Sequence, residues 1–233
     1  MKRLIAIVVL LGAASVGPLI FPAAEAGHSS MDVLARFALL PSVAIIFLAL
    51  GLLHELDQSV AKLASVGVTA GAVATLGLEA VRLAGFRLGL MPGNLPRLMG
   101  VLLLNQFATG PTLTSDIAGW AYHFWNGASF GLIYVLVFGT CRRWVGSAFG
   151  VAVGLGFLFS PVVASLGVGF LGLSFSKGFP LTVILAHAIF GAILGWLTAR
   201  WEGFVDSPLQ AALADYIRNW VAASHSPRRA QPL

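Results

Sequence analysis

The sequence predicts an all-α fold, a polytopic transmembrane helical bundle. Three observations carry the prediction. Of 233 residues, 58% are hydrophobic and only 10% charged, against about 25% charged in a soluble domain. Mean hydropathy is +0.90, and several apolar runs approach the roughly 20 residues that cross a bilayer. Lysines and arginines gather at the ends of those runs and in the C-terminal tail.

The first run, residues 4–22, follows Met1-Lys2-Arg3. "AEA" at 24–26 before Gly27 resembles a secretory cleavage site. The run therefore reads either as a signal, leaving five spans, or as a retained helix, giving about six. Its continuation past Pro18 to Phe21 favours the helix. The remaining spans are expected near 33–53, 59–81, 117–139, 145–170 and 180–199. Between the third and fourth spans, Pro92-Gly93 marks a turn, Pro96 can open a helix, and Gly110-Pro111 closes it. The apolar run Leu98 to Phe107 is too short to cross, so it is read as one half-helix, re-entrant or interfacial. Thr114 to Asp116 supply a cap for the next span. Residues 1–206 thus form the bundle. Ser207 as N-cap and Pro208 at the first helical position start an amphipathic helix over 207–224, expected to lie on the inner membrane surface. Residues 225–233 read as a disordered tail.

Orientation follows from the excess of Lys and Arg on the cytoplasmic side. With six spans, Lys2 and Arg3, Arg142 and Arg143, and Arg200, Arg218, Arg228 and Arg229 fall on one side. Both termini are therefore expected inside. The formal net charge of +5 is accounted for by topology and anionic lipid, not by nucleic acid. A lone cysteine, Cys141, excludes an internal disulfide and any cysteine-rich metal site.

Two segments share a pattern. His123, Gly127 and Gly131 are spaced by four, as are His187, Gly191 and Gly195, 64 residues further on. Such spacing puts each set on one helix face, and small residues every fourth position let membrane helices approach closely. Gly146, Gly150 and Gly154, and Gly67 and Gly71, repeat the device. The histidines should therefore point into the bundle at similar depth, as a parallel repeat. The plain role for each is an interhelix hydrogen bond of about 0.6 kcal/mol. Acting together with Asn126, they form a ligand-binding candidate, and as a metal pair they would allow a bis-imidazole haem or a quinone site. His54 and Glu55 lie at the other membrane face and read as interfacial caps.

Glu79 and Arg82 can pair along one helix, with Arg87 and Arg97 snorkelling to lipid phosphates. Alternatively, Arg82, Arg87 and Arg97 beside the half-helix N-terminus would hold a small anion or an anionic lipid headgroup.

"GAS" at 127–129 and "AH" at 186–187 resemble the rhomboid intramembrane proteases. That resemblance implies Ser129 as nucleophile and His187 as its base. Phe130 replaces the glycine expected after the serine, and the glycine after His187 is at the fourth position, not the third. No earlier span supplies the His and Asn of an oxyanion site, and Ser129 lies about 200° around the helix from Gly127. The order of a glycine-rich span, a Pro-containing loop, "HFWNGASFGLIY" and "AHAIFGAILG" is similar to the YagU-like bacterial inner-membrane proteins, which implies an inner-membrane location and no reaction. No phosphate-binding loop, dinucleotide fingerprint or catalytic carboxylate pair is present in the sequence. The expectation is a non-enzymatic binding, transport or complex subunit with a buried histidine pair, with haem carriage and rhomboid-like proteolysis as the competing classes.

Overall fold

The computed structural model describes residues 1–140 and 143–225. Cys141, Arg142 and residues 226–233 of the expected tail lie outside the described residues. Every regular element among the described residues is helical.

Helix α1 spans Lys2–Glu25 and contains Pro18 and Pro22, each of which removes an intrahelical donor. Helix α2, Met31–Leu56, widens into a π-helical turn over Ala35–Leu39. Pro41 follows at once and cannot donate to the carbonyl one turn back, a common cause of such a bulge. Only Asp57 separates α2 from α3, Gln58–Arg87, and it caps α3 by accepting from the Val60 N–H at 3.2 Å.

The half-helix is α4, Leu95–Leu103, capped by Asn94. It ends earlier than Gly110-Pro111 because Asn105 turns to a positive φ of 51°. Helix α5, Leu113–Phe138, starts at an N-cap on Thr112 in a reciprocal capping box with Ser115, so the cap lies two residues before the expected Thr114. The expected 145–170 span is corrected to a 16-residue helix, α6 (Arg143–Leu158), and a short α7, Pro161–Ser165. Pro161, together with Gly167 and Gly169 at positive φ, breaks the run. Helix α8 is Gly178–Glu202, and α9 is Pro208–His225.

Four described helices, α1, α2, α3 and α8, are long and apolar enough to cross a membrane. Helix α5 matches them in length but is diluted by Asp116, His123, Asn126 and Ser129. Large apolar side chains, among them Phe37, Phe47, Leu48 and Leu181, face outward, as lipid contact requires.

One core cluster lies where α3, α5 and α8 meet, around Leu63, Tyr134, Val135, Phe190 and Leu194, and another joins α1, α2, α3 and α5 around Ile7, Leu10, Leu53 and Leu132. Helix α6 packs on α8, and α1 packs on α2 and α5. Arg3 pairs with Asp57 at 3.1 Å and Lys62 with Glu202 at 3.0 Å. The start of α1, the α2–α3 turn and the end of α8 therefore share one end of the bundle. Thr140 adds the end of α5, since its hydroxyl accepts from the Val205 N–H at 2.6 Å. Arg82 and Arg87 are at the opposite end of α3 from Lys62.

Ser207 caps α9, accepting from the Gln210 N–H at 3.2 Å and reaching the Leu136 carbonyl at 3.3 Å. Ala212 is buried against the bundle, while Tyr216, Ile217, Trp220 and Val221 remain exposed.

Candidate functional site: an intramembrane cavity with a buried ion cluster

The glycine stripes face specific partners. A Cβ built on Gly131 would strike the Gly67 carbonyl, and one on Gly71 would strike the Gly127 carbonyl. Helices α3 and α5 therefore touch backbone to backbone. On the other side, a Cβ at Gly150 would strike the His187 carbonyl and one at Gly191 the Gly146 carbonyl, joining α6 to α8 in the same way. A third crossing, of Gly100 on α4 with Gly119 on α5, holds the half-helix against the first turns of α5. Each histidine stripe is thus taken up by its own partner helix, and the two stripes do not meet.

Between these pairs lies a cavity of about 490 Å³ that reaches from α1 to α8. Its walls are mainly apolar, including Phe21, Met99, Phe130, Phe157 and Phe190. Both His123 and His187 line it, with Arg82 and Asn126. The half-helix and the loop before it contribute Met91, Leu95 and Met99.

Glu79 and Arg82 are only 8% and 7% exposed. Arg82 Nε donates to both carboxylate oxygens, at 2.7 and 2.9 Å, and Nη2 adds a third bond. The i, i+3 spacing on α3 makes the contact local. From α5, His123 Nε2 lies 2.9 Å from Glu79 Oε1, within ion-pair reach although off the line of a well-directed hydrogen bond. Trp120 meets the His123 ring edge-on, at 6.2 Å between centroids. One carboxylate therefore sits between two groups able to carry positive charge.

His187 is held differently. Its Nδ1 is 2.8 Å from the Val183 carbonyl, an acceptor, so Nδ1 carries the proton and Nε2 is the free nitrogen. Its ring stacks on Phe157 at 6.2 Å and 23°. Asn126 Oδ1 and Trp125 Nε1 are buried without a hydrogen-bond partner, close to Gly17 of α1. The neighbouring Tyr122 hydroxyl donates to the Gly17 carbonyl at 2.7 Å.

The remaining sequence candidates separate. Arg97 pairs with Asp116 at 3.2 Å, and Arg87 is exposed at the end of α3. Of the three arginines, only Arg82 reaches the cavity. Ser129 is 3% exposed, its hydroxyl has no hydrogen-bond partner, and it does not line the cavity. Because no hydrogen bond joins the Ser129 hydroxyl to His187, no Ser129–His187 dyad is formed. Among the described residues no three His, Cys, Asp or Glu side chains are grouped to hold a metal ion. Haem is a poor fit on geometry: His123 Nε2, the unhindered ligating nitrogen, lies 2.9 Å from Glu79 Oε1. His54 and Glu55 are exposed at the C-terminal end of α2.

Sequence reading paired Glu79 with Arg82 and missed His123 as its second partner. The signal is the antiparallel register. Gly67 opposite Gly131 and Gly71 opposite Gly127 set residues 75–79 beside 119–123 one turn further out.

Neither a family model, nor a curated protein, nor a solved structure matches the chain, so function is argued from this site alone.

Proposed function

We propose that the chain is a multi-pass protein of a bacterial inner membrane, with its C-terminus cytoplasmic, and that it acts as a non-enzymatic binding, transport or complex subunit. Its cavity takes an amphipathic molecule from the bilayer. The observation that carries this reading is a cavity of about 490 Å³ whose walls are mainly apolar but which also receives Arg82, His123, Asn126 and His187. That volume lies within the roughly 300–1,000 Å³ of small-molecule sites, which combine apolar walls with a few placed polar groups. Polar and ionisable side chains inside a membrane are costly and tend to mark binding sites or pathways. The orphaned Asn126 oxygen offers a hydrogen bond that a ligand can complete. Walls taken from a half-helix and its loop fit transporter sites, where irregular backbone is tolerated because it lines a cavity.

The exposed apolar face of α9 supports contact of that helix with the cytoplasmic membrane surface. The test of the cavity is saturable binding of the neutral dye N-phenylnaphthylamine to the full chain in nanodiscs, beside Ala186→Trp, which places an indole in the cavity. Binding near one dye per chain that disappears in the variant supports the reading. Uptake no greater than in empty nanodiscs overturns it.

A further inference from the structure

We infer that the cavity holds its ligand by a singly charged anionic head, and that His123 takes up one proton as that ligand binds. The inference rests on the cavity being a ligand site and deepens that reading. Glu79 and Arg82 already neutralise each other, so the pair offers no net charge to a ligand. The third member decides the sign. With His123 neutral, the cluster sums to zero, and an anion brought beside it would be a buried, uncompensated charge. With His123 protonated, Glu79 sits between two cations, the cluster carries one positive charge, and a monoanion closes it to zero.

Among the described residues, the groups around His123 allow no other source of compensation. From α3 it faces Glu79 and Arg82. From α8 the ionisable group on the same cavity is His187, whose proton is held by the Val183 carbonyl and whose ring lies on Phe157. At the α4–α5 crossing, Arg97 and Asp116 pair with each other. Helix α1 brings Ser15, Pro18 and Phe21 to the cavity and no charge, and α6 has no charged side chain from Trp144 to Leu158. Asp215 and Arg218 of α9 pair with each other at 2.5 Å beyond the other end of α5. Glu79 is the competing proton acceptor, but both of its carboxylate oxygens already accept from Arg82. Among the described residues, His123 is the imidazole with a carboxylate at contact distance.

The test is isothermal titration of the full chain in nanodiscs, corrected for empty nanodiscs, near pH 8. Two buffers of different ionisation enthalpy give the proton count. The probes are oleate, a carboxylate amphiphile, and methyl oleate, its neutral counterpart. The expected result is saturable oleate binding with about one proton taken up per molecule, as required to hold a buried charge neutral, and methyl oleate binding with none. His123→Gln should abolish the uptake and weaken oleate at least about tenfold, the loss of a charge partner, with methyl oleate little changed. Arg87→Gln, outside the cavity, should behave as the parent. Oleate binding without proton uptake, or with uptake persisting in His123→Gln, overturns the inference, as does binding of methyl oleate alone. If neither probe binds, the cavity reading fails with it. Should His123→Gln not fold, the proton count of the parent still decides.

Discussion

Replacing Gly131 by alanine tests the helix contact that positions His123. A Cβ there would strike the Gly67 carbonyl and lie 2.8 Å from Gly71 Cα and 2.9 Å from Gly71 N. All three neighbours are backbone atoms, so no rotamer change relieves the contact and α3 must move away from α5. Overpacking of this kind costs about 1–3 kcal/mol, and the near-absence of give places Gly131 in the upper half of that range. Alanine recovers about 0.5–1 kcal/mol through its better helix propensity. The expected net destabilisation is about 1–2 kcal/mol, roughly a 5–30-fold fall in the folded-to-unfolded ratio. Gly12→Ala and Gly51→Ala are the controls, because a Cβ at either position meets nothing within 4 Å; only the propensity gain remains, and both should be stabilised slightly. Reversible unfolding in mixed micelles, followed by tryptophan fluorescence, measures all three variants. A Gly131→Ala protein as stable as Gly12→Ala would refute the backbone-contact argument.

Glu79→Gln should destabilise the fold by about 3–5 kcal/mol in the same assay, because Arg82 is left buried without its counter-ion; Glu79→Gln with Arg82→Met should recover most of the loss. Asp57, at the α2–α3 turn, has its carboxyl held below the ordinary value: burial pushes it up, but the Ser59 hydroxyl, the Val60 N–H and Arg3 together outweigh that. A depressed folded-state value means that its contribution is complete above the unfolded value of about 3.9 and is lost as pH falls through the lower folded value. Unfolding measured between neutral and acid pH should therefore show a shallower acid-side loss in Asp57→Asn than in the parent. Ser207→Ala removes the α9 cap and should loosen that helix by about 1 kcal/mol, seen as faster proteolysis within α9 with the bundle intact.

Much of the bundle was legible because apolar runs and four-residue glycine spacing are local signals. Residues 58–87 and 178–202 emerged as helices close to their expected ranges, and Ser207-Pro208 marked the start of α9. The 145–170 run misled because its hydropathy continues past the point where Pro161 and two positive-φ glycines end the helix. Thr112 was passed over as a cap because its partner is Ser115, where a Glu or Gln is the usual signal. The stripes showed which faces pack closely but not which helix packs on which, since spacing carries no partner identity. Glu79 and His123 are 44 residues apart, and their contact depends on the relative depth of two antiparallel helices. Once Gly71 is set against Gly127, that depth follows.

The most direct test of the central claim, that this bundle holds an amphipathic molecule in the cavity shared by His123 and His187, is native mass spectrometry of the full chain released from membranes. The account predicts one retained amphiphile per chain in the parent and none in Ala186→Trp. A parent that emerges without an adduct, or an adduct equally abundant in the filled-cavity variant, would contradict it.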